Sequence, residues 1–154
     1  MKGNARLIDT LNQLLADELT ATNQYILHSE MCANWGYEKL HDVIEHRAID
    51  EMKHAEKLIA RVLFLEGMPI VSKLNPLHIG ESVADQLQND IEAEYGAVKA
   101  YNEGIRLAVE VEDNTTRALL ESILHDEEEH IDWLEAQRDQ IQQVGLANYL
   151  AQQI

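Results

Sequence analysis

Apolar residues recur along this chain in alternating steps of three and four, the spacing of one face of an α-helix. The first such stripe is Leu7, Leu11, Leu14, Glu18, Ala21, Tyr25 and His28. Asn4 is a suitable N-cap and Gly36 a suitable stop, which predicts a helix from about Ala5 to Asn34. A second helix is expected from about Glu38 to Glu66, ended by Gly67 and Pro69, with the stripe Leu40, Ile44, Arg47, Glu51, His54, Leu58, Arg61 and Leu65. Residues 68–80 carry Pro69, Asn75-Pro76 and Gly80, a connection too long for a tight hairpin but able to cross the length of a bundle. Ser82 with Asp85 resembles a capping box and opens a third helix to about Asp113, striped by Val83, Leu87, Asp90, Glu94, Ala97 and Tyr101. A fourth, capped by Asn114 and stopped by Gly145, carries Thr116, Leu120, Ile123, Glu127, His130, Leu134, Gln137, Ile141 and Val144. Leu146 to Ile154 remains as a short, fairly apolar fifth segment with no evident partner in its own bundle.

The pattern is all-α, and 154 residues suit one domain with a sizeable core. What disturbs the stripes is more informative than what continues them. Glu18, Glu51, His54, Glu94, Glu127 and His130 all occupy positions where an apolar residue belongs. They also repeat, because adding 76 to 18, 51 and 54 gives 94, 127 and 130, with the same residue types in the same order. The offset pairs Leu11 with Leu87, Ala21 with Ala97, Tyr25 with Tyr101, Ile44 with Leu120 and Leu58 with Leu134, which points to a pseudo-twofold architecture. At ~1.5 Å of rise per residue, each of the six lies roughly 21–28 Å from the turn that joins its helix pair, so all six can meet mid-bundle.

Glu51 with His54, and Glu127 with His130, stand three apart and share a helix face. Buried carboxylates without a cation would repel one another and suffer desolvation. Four carboxylates and two neutral imidazoles instead balance two divalent cations, and this oxygen and nitrogen set suits iron or manganese. One Glu from each of two helices and a Glu-x-x-His from each of the other two is the known ligand pattern of ferritin-like di-iron proteins. A single such pair would mean little, since a solvated Glu and an ordinary His often fall at that spacing. Two pairs, two further glutamates and a shared offset make coincidence a poor account.

Composition narrows the function. Twelve basic against 28 acidic side chains leave a formal charge of −16, which disfavours nucleic acid and anionic membrane surfaces and attracts cations. The single Cys32 can form neither an internal disulfide nor a Cys-x-x-Cys site, and reads as packing in a reducing compartment. No stretch approaches the ~18 apolar residues of a membrane span, and the first residues lack a signal-like apolar run. A soluble, unprocessed, cytoplasmic protein is expected.

Other residues leave alternatives open. Tyr25 and Tyr101 each lie two turns from a stripe glutamate, so they either pack the core or hydrogen-bond or donate electrons to a metal centre. Met52 lies about 100° around the helix from Glu51 and faces outward. It serves a subunit contact or, with Ala48 and Ala55 leaving room for something flat, ligates haem iron through its thioether. His46 and Asp50, four apart, could hold a transient cation, whereas His28, His41, His78 and His125 suggest no role.

Taken together, the chain resembles the bacterioferritin family over its whole length. The resemblance runs through Met1-Lys2-Gly3, Asn23-Gln24-Tyr25, Asn34-Trp35-Gly36, Asp50-Glu51-Met52-Lys53-His54-Ala55, Phe64-Leu65-Glu66-Gly67, His130-Ile131-Asp132-Trp133-Leu134-Glu135 and Asn148-Tyr149-Leu150. It implies a ferritin-like four-helix bundle with a long crossover between helices 2 and 3 and a short fifth helix. Glu18 with His54, and Glu94 with His130, would terminate two irons that Glu51 and Glu127 bridge. Oxygen or hydrogen peroxide would oxidise Fe(II) there, and ferric mineral would be stored in a shell of twenty-four subunits built from dimers. Met52 from two subunits would hold one b-type haem, a bacterioferritin-associated ferredoxin would supply electrons for release, and the fifth segment would pack around fourfold axes. Glu45, Arg47 and Ala151 depart from the family, standing where an aromatic, an acidic residue and a Gln are familiar. Two other readings are a haem-free ferritin, which Met52 and His130 argue against, and a non-catalytic helical assembly whose acidic stripes are incidental.

Overall fold

A computed structural model describes all 154 residues. Five helices follow in order: α1 Ala5–Asn34, α2 Glu38–Phe64, α3 Val83–Glu110, α4 Asn114–Val144 and α5 Leu146–Ala151. The first four form an all-helical bundle in which α1 packs along α2 and α3 along α4.

Each long helix begins and ends for local reasons. The Asn4 side chain accepts from the Leu7 amide at 3.3 Å, and Ser82 accepts from Asp85 N while donating its own hydroxyl to that carboxylate. At α4 the cap is Asp113 and not Asn114: its carboxylate accepts from the Thr116 amide at 2.9 Å. The Asp113 carboxyl is held low. Burial opposes that shift, but the hydrogen bonds from Thr116 and the charge of Arg61 outweigh it. Arg61, a charged residue on the α2 stripe, thus bolts the end of α2 to the start of α4. Its guanidinium donates to Asp113 and Thr116 at 2.7 Å each.

The expected helix ends shift by a few residues at α2 and α3. Both end two residues before a glutamate in the left-handed region, Glu66 at φ 61° and Glu112 at φ 60°. Paired bonds from these residues and their successors to earlier carbonyls complete Schellman motifs. Gly36 does the same for α1 at φ 85°.

The crossover between α2 and α3 is bound along one face of α1. Asn12 holds Met68 O and Ile70 N, the Thr20 hydroxyl accepts from Asn75 N, Gln24 accepts from His78 N, and His28 Nε2 accepts from Gly80 N. His28, given no role from sequence, is fully buried and also contacts Asp90 through Nδ1 at 3.0 Å. A Cβ on Gly80 would come within 2.3 Å of the Gln86 amide nitrogen, so the chain can close onto α3 there only without a side chain.

The fifth segment does have a partner in its own bundle, contrary to expectation. Tyr149 is buried, its hydroxyl donates to Gln137 at 3.0 Å, and Lys39 on α2 bonds the carbonyls of Gln152 and Gln153. Val144, placed on the α4 stripe, is exposed. Cys32 is buried as expected, and burial, then the charge of Asp90, pushes its thiol up to about 11. No helix is long and apolar enough to cross a membrane.

Buried apolar residues fall into two clusters. One gathers Leu7, Leu11, Leu14, Leu58, Val62 and Leu120; the other Tyr25, Leu40, Ile44, Leu87, Ile91 and Leu134. Between them lies a belt that is not apolar at all.

Candidate metal centre

The belt consists of the six residues picked out by the 76-residue offset. Glu18, Glu51, His54, Glu94, Glu127 and His130 are each at most 3 % exposed. They form two overlapping tetrads, Glu18, Glu51, His54, Glu127 and Glu51, Glu94, Glu127, His130, with ligand atoms of each tetrad within 4.8 Å of one another. Glu51 and Glu127 belong to both, and Glu18 and Glu94 stand at opposite ends.

The histidines turn Nδ1 inward. His54 Nδ1 lies 2.9 Å from Glu127, 3.3 Å from Glu51 and 3.6 Å from Glu18. His130 Nδ1 lies 3.1 Å from Glu51, 3.4 Å from Glu94 and 3.6 Å from Glu127. The two rings face each other at 6.3 Å between centroids, tilted by 24°.

A donor set built for cations should leave lone pairs pointing at one another without shared protons. Glu51 Oε1, Glu127 Oε1 and His130 Nδ1 are buried with no aligned hydrogen-bond partner, although close neighbours surround them. Such orphaned atoms are costly unless something positive stands among them. The residues fit a pair of divalent metals.

Without metal, protons take up part of that role. Burial, and then the charge of Glu51, raises the Glu18 carboxyl well above its ordinary value; burial and Glu127 push Glu94 up to about 8. Burial acts against a charged His130, but ion pairing with Glu127, Glu51 and Glu94 prevails and carries it up to about 11. His54 moves the same way against burial, chiefly through Glu127 and Glu18. Glu127 is held low: burial would raise it, and the hydrogen bonds of His130 and His54 more than reverse that.

Around the belt stands a second layer that sequence reasoning only half found. The Tyr25 hydroxyl donates to Glu94 and that of Tyr101 to Glu18, so each tyrosine serves the glutamate of the other half of the chain. Asp126 Oδ2 accepts from His54 Nε2 at 3.0 Å, while its repeat partner Asp50 stands 3.9 Å from His130 Nε2. The missed signal for Asp50 and Asp126 is the dipeptide Asp-Glu, present in both copies of the motif. His46 lies 3.8 Å from Asp50, with its own side chain largely exposed. Arg47 lies over the Trp133 ring, 5.8 Å from its centroid.

A cavity of about 370 Å³ between α1, α3 and the crossover reaches this centre, with Asp17, Asn75, His78 and Glu92 toward its mouth and Glu18, Glu51, Glu94 and Glu127 at its floor. Met52 is apart from all of this, 45 % exposed on the outer face of α2 with Ile49 one turn away. Ala48 and Ala55 are buried in the two cores, so in the single chain they do not form open surface beside Met52.

The chain is similar to proteins of known family along most of its length. The ferritin-like domain family matches residues 8–144. The chain is 40 % identical over 152 residues to a bacterioferritin of Mycobacterium bovis, covering 99 % of this chain and 96 % of that protein. It is 41 % identical over 155 residues to a bacterial ferritin of Synechocystis sp., covering 100 % and 99 %. Against a bacterioferritin of Rhodobacter capsulatus the identity is 44 % over 137 residues, covering 89 % and 85 %. With its helical bundle, its long crossover and a buried belt of glutamate and histidine between two cores, the chain belongs to the ferritin family, among the bacterioferritins.

Proposed function

We propose that this protein stores iron, and that it does so as a ferroxidase using the belt as an intrasubunit di-iron site. The observation that carries this reading is the pair of tetrads sharing Glu51 and Glu127. Two Fe(II) are substrates, one held by Glu18 and His54, the other by Glu94 and His130, with Glu51 and Glu127 bridging. Each Fe(II) gives up one electron, so two of them with two protons reduce oxygen to hydrogen peroxide, or peroxide to two waters. The carboxylates and imidazoles release their protons to make room for the metals, and the cavity beside Asp17 and Glu92 is the short way in from solvent.

Ferric product is stored as mineral in a shell, a homo-24-mer built from dimers. Met52 fits the role of a haem ligand in one respect, since its thioether is exposed and free of the core. In that role Met52 from two subunits would hold a b-type haem, whose chemistry is one-electron transfer. Reductive release would then draw on a ferredoxin of the kind associated with bacterioferritins. The acidic balance of the chain supports a cation-handling protein and gives no support to a nucleic acid partner.

The test is addition of Fe(II) to metal-free protein in air, following ferric absorbance. A fast phase that saturates at about two Fe(II) per chain, and is absent from Glu18→Ala and Glu127→Ala, is the expected outcome. Slow oxidation without a break, identical in the variants, would leave a helical assembly with no ferroxidase role.

A further inference from the structure

Away from the belt, a second group of metal-ligating side chains gathers on the surface of the chain, where α1 and α2 run together beside their turn. Glu30 lies on α1, while His41 and Glu45 stand one helical turn apart on α2 and share a face. The two glutamates are exposed and His41 is half-buried. One ring nitrogen of His41 and one carboxylate oxygen from each glutamate lie within 4.8 Å of one another. Along α1, Glu30 is roughly 18 Å from Glu18, too far to share the metals of the belt.

His41, which suggests no role in the sequence, is what separates this group from an acidic patch. Its Nδ1 lies 3.1 Å from the main-chain carbonyl of Ser29, which can only accept, so the ring proton is on Nδ1 and the Nε2 lone pair is left for a cation. A carbonyl behind the imidazole is the usual support of a metal-ligating histidine. Neither carboxylate is spent on a neighbour, since the ion pairs of the N-terminal amine, Arg6, Arg61, Arg117 and Arg138 all lie elsewhere. Both glutamates also stand more than 4.0 Å from the ring nitrogens, beyond the reach of a shared proton. An ion with bonds of ~2.1 Å to each donor spans about 4.2 Å, so a small turn of two exposed side chains closes the shell.

The internal repeat supplies a comparison. The positions 76 residues further on are Arg106, Arg117 and Glu121, and there Arg117 closes an ordinary ion pair with Glu121 at 3.0 Å. The bundle therefore stands without a histidine at this place, and the fold does not require the trio in the first half.

We propose that Glu30, His41 and Glu45 form a separate metal site, for a divalent ion of the zinc class, that clips α1 to α2 beside their turn. One imidazole and two carboxylates suit Zn(II), with water completing the shell. Occupancy of this site is independent of the belt.

Equilibrium dialysis of the metal-free, assembled protein against Zn(II), followed by metal analysis, tests the site. His41→Ala and the double variant Glu30→Gln, Glu45→Gln should each bind one Zn(II) fewer per chain than wild type. Zn(II) should also raise the melting temperature of wild type by more than that of either variant, because only wild type then has α1 joined to α2 through the ion. Without metal the three proteins should melt together, since the positions are not part of either core. Equal uptake per chain in wild type and both variants overturns the site. Loss of an ion from the double variant but not from His41→Ala overturns it as well, in favour of diffuse attraction of cations to acidic side chains. A belt that failed to bind would lower the count in all three proteins alike, and a difference of one ion would still support the site.

Discussion

Glu94 and His130 both take up a proton on folding, and this sets how the metal-free protein responds to pH. For Glu94 the ordinary value is 4.5 and the folded value about 8. Its contribution to stability is therefore complete below about pH 4.5 and is lost as pH rises toward 8. His130 moves from 6.5 to about 11, so its contribution is present below about pH 6.5 and fades above it. Glu127, held low, acts in the opposite sense, and its contribution is lost only in acid. Between pH 6 and 9 the first two dominate, so the melting temperature of the metal-free protein should fall, by the equivalent of a few kcal/mol. The Co(II)-loaded protein should show a flatter profile, because metals then stand where the protons stood. Calorimetry across that range checks both, and a rise in the metal-free melting temperature would contradict the proton bookkeeping.

At the scale of the helices, the ends are set by local chemistry, and some of that chemistry is not optimal. Glu112 occupies the left-handed position that closes α3, where Gly36 closes α1. A side chain in that conformation costs ~1–2 kcal/mol, whereas glycine gives back about 0.5–1 kcal/mol in backbone entropy. Glu112→Gly should therefore stabilise the protein by about 0.5–1 kcal/mol, a rise of roughly 2 °C in a thermal melt. Glu66 has the same conformation but also meets the chain's N-terminal amine at 2.9 Å, so it is the less clean test. The helix spans themselves were legible from the stripes and caps to within a few residues. The expectation for α2 rests on Gly67 as its stop, whereas a glutamate holds the left-handed position both there and at α3 and carries no such signal of its own.

For the molecule as a whole, two apolar cores are separated by a charged belt and sealed at one end by α5. Tyr149 belongs to the second core, and its docking gives the terminal segment a place on its own bundle. Tyr149→Phe should cost about 1 kcal/mol for the bond to Gln137, and Tyr149→Ala about 3–5 kcal/mol for the lost ring. Equilibrium unfolding separates the two, and a Tyr149→Ala variant as stable as wild type would show the segment to be idle in the single chain. This contact escaped the sequence reading because the fifth segment is too short for a periodic stripe and its partners, Lys39 and Gln137, are remote in the chain.

The all-helical class, the four long spans, the crossover and the six belt residues could be read from the chain because each rests on local periodicity or on one internal offset. A polar residue on an apolar stripe is visible wherever the fold puts it. What could not be read is which support meets which ligand. On the stripes Tyr25 lies two turns from Glu18, and Tyr101 two turns from Glu94. In the folded bundle the halves exchange partners instead, Tyr25 to Glu94, Tyr101 to Glu18 and Asp126 to His54. The arrangement of four helices around one centre determines those contacts. So does the difference between the Asp126–His54 contact at 3.0 Å and the Asp50–His130 contact at 3.9 Å, since differences of an ångström between pseudo-equivalent contacts arise from packing of the whole bundle and leave no trace in spacing.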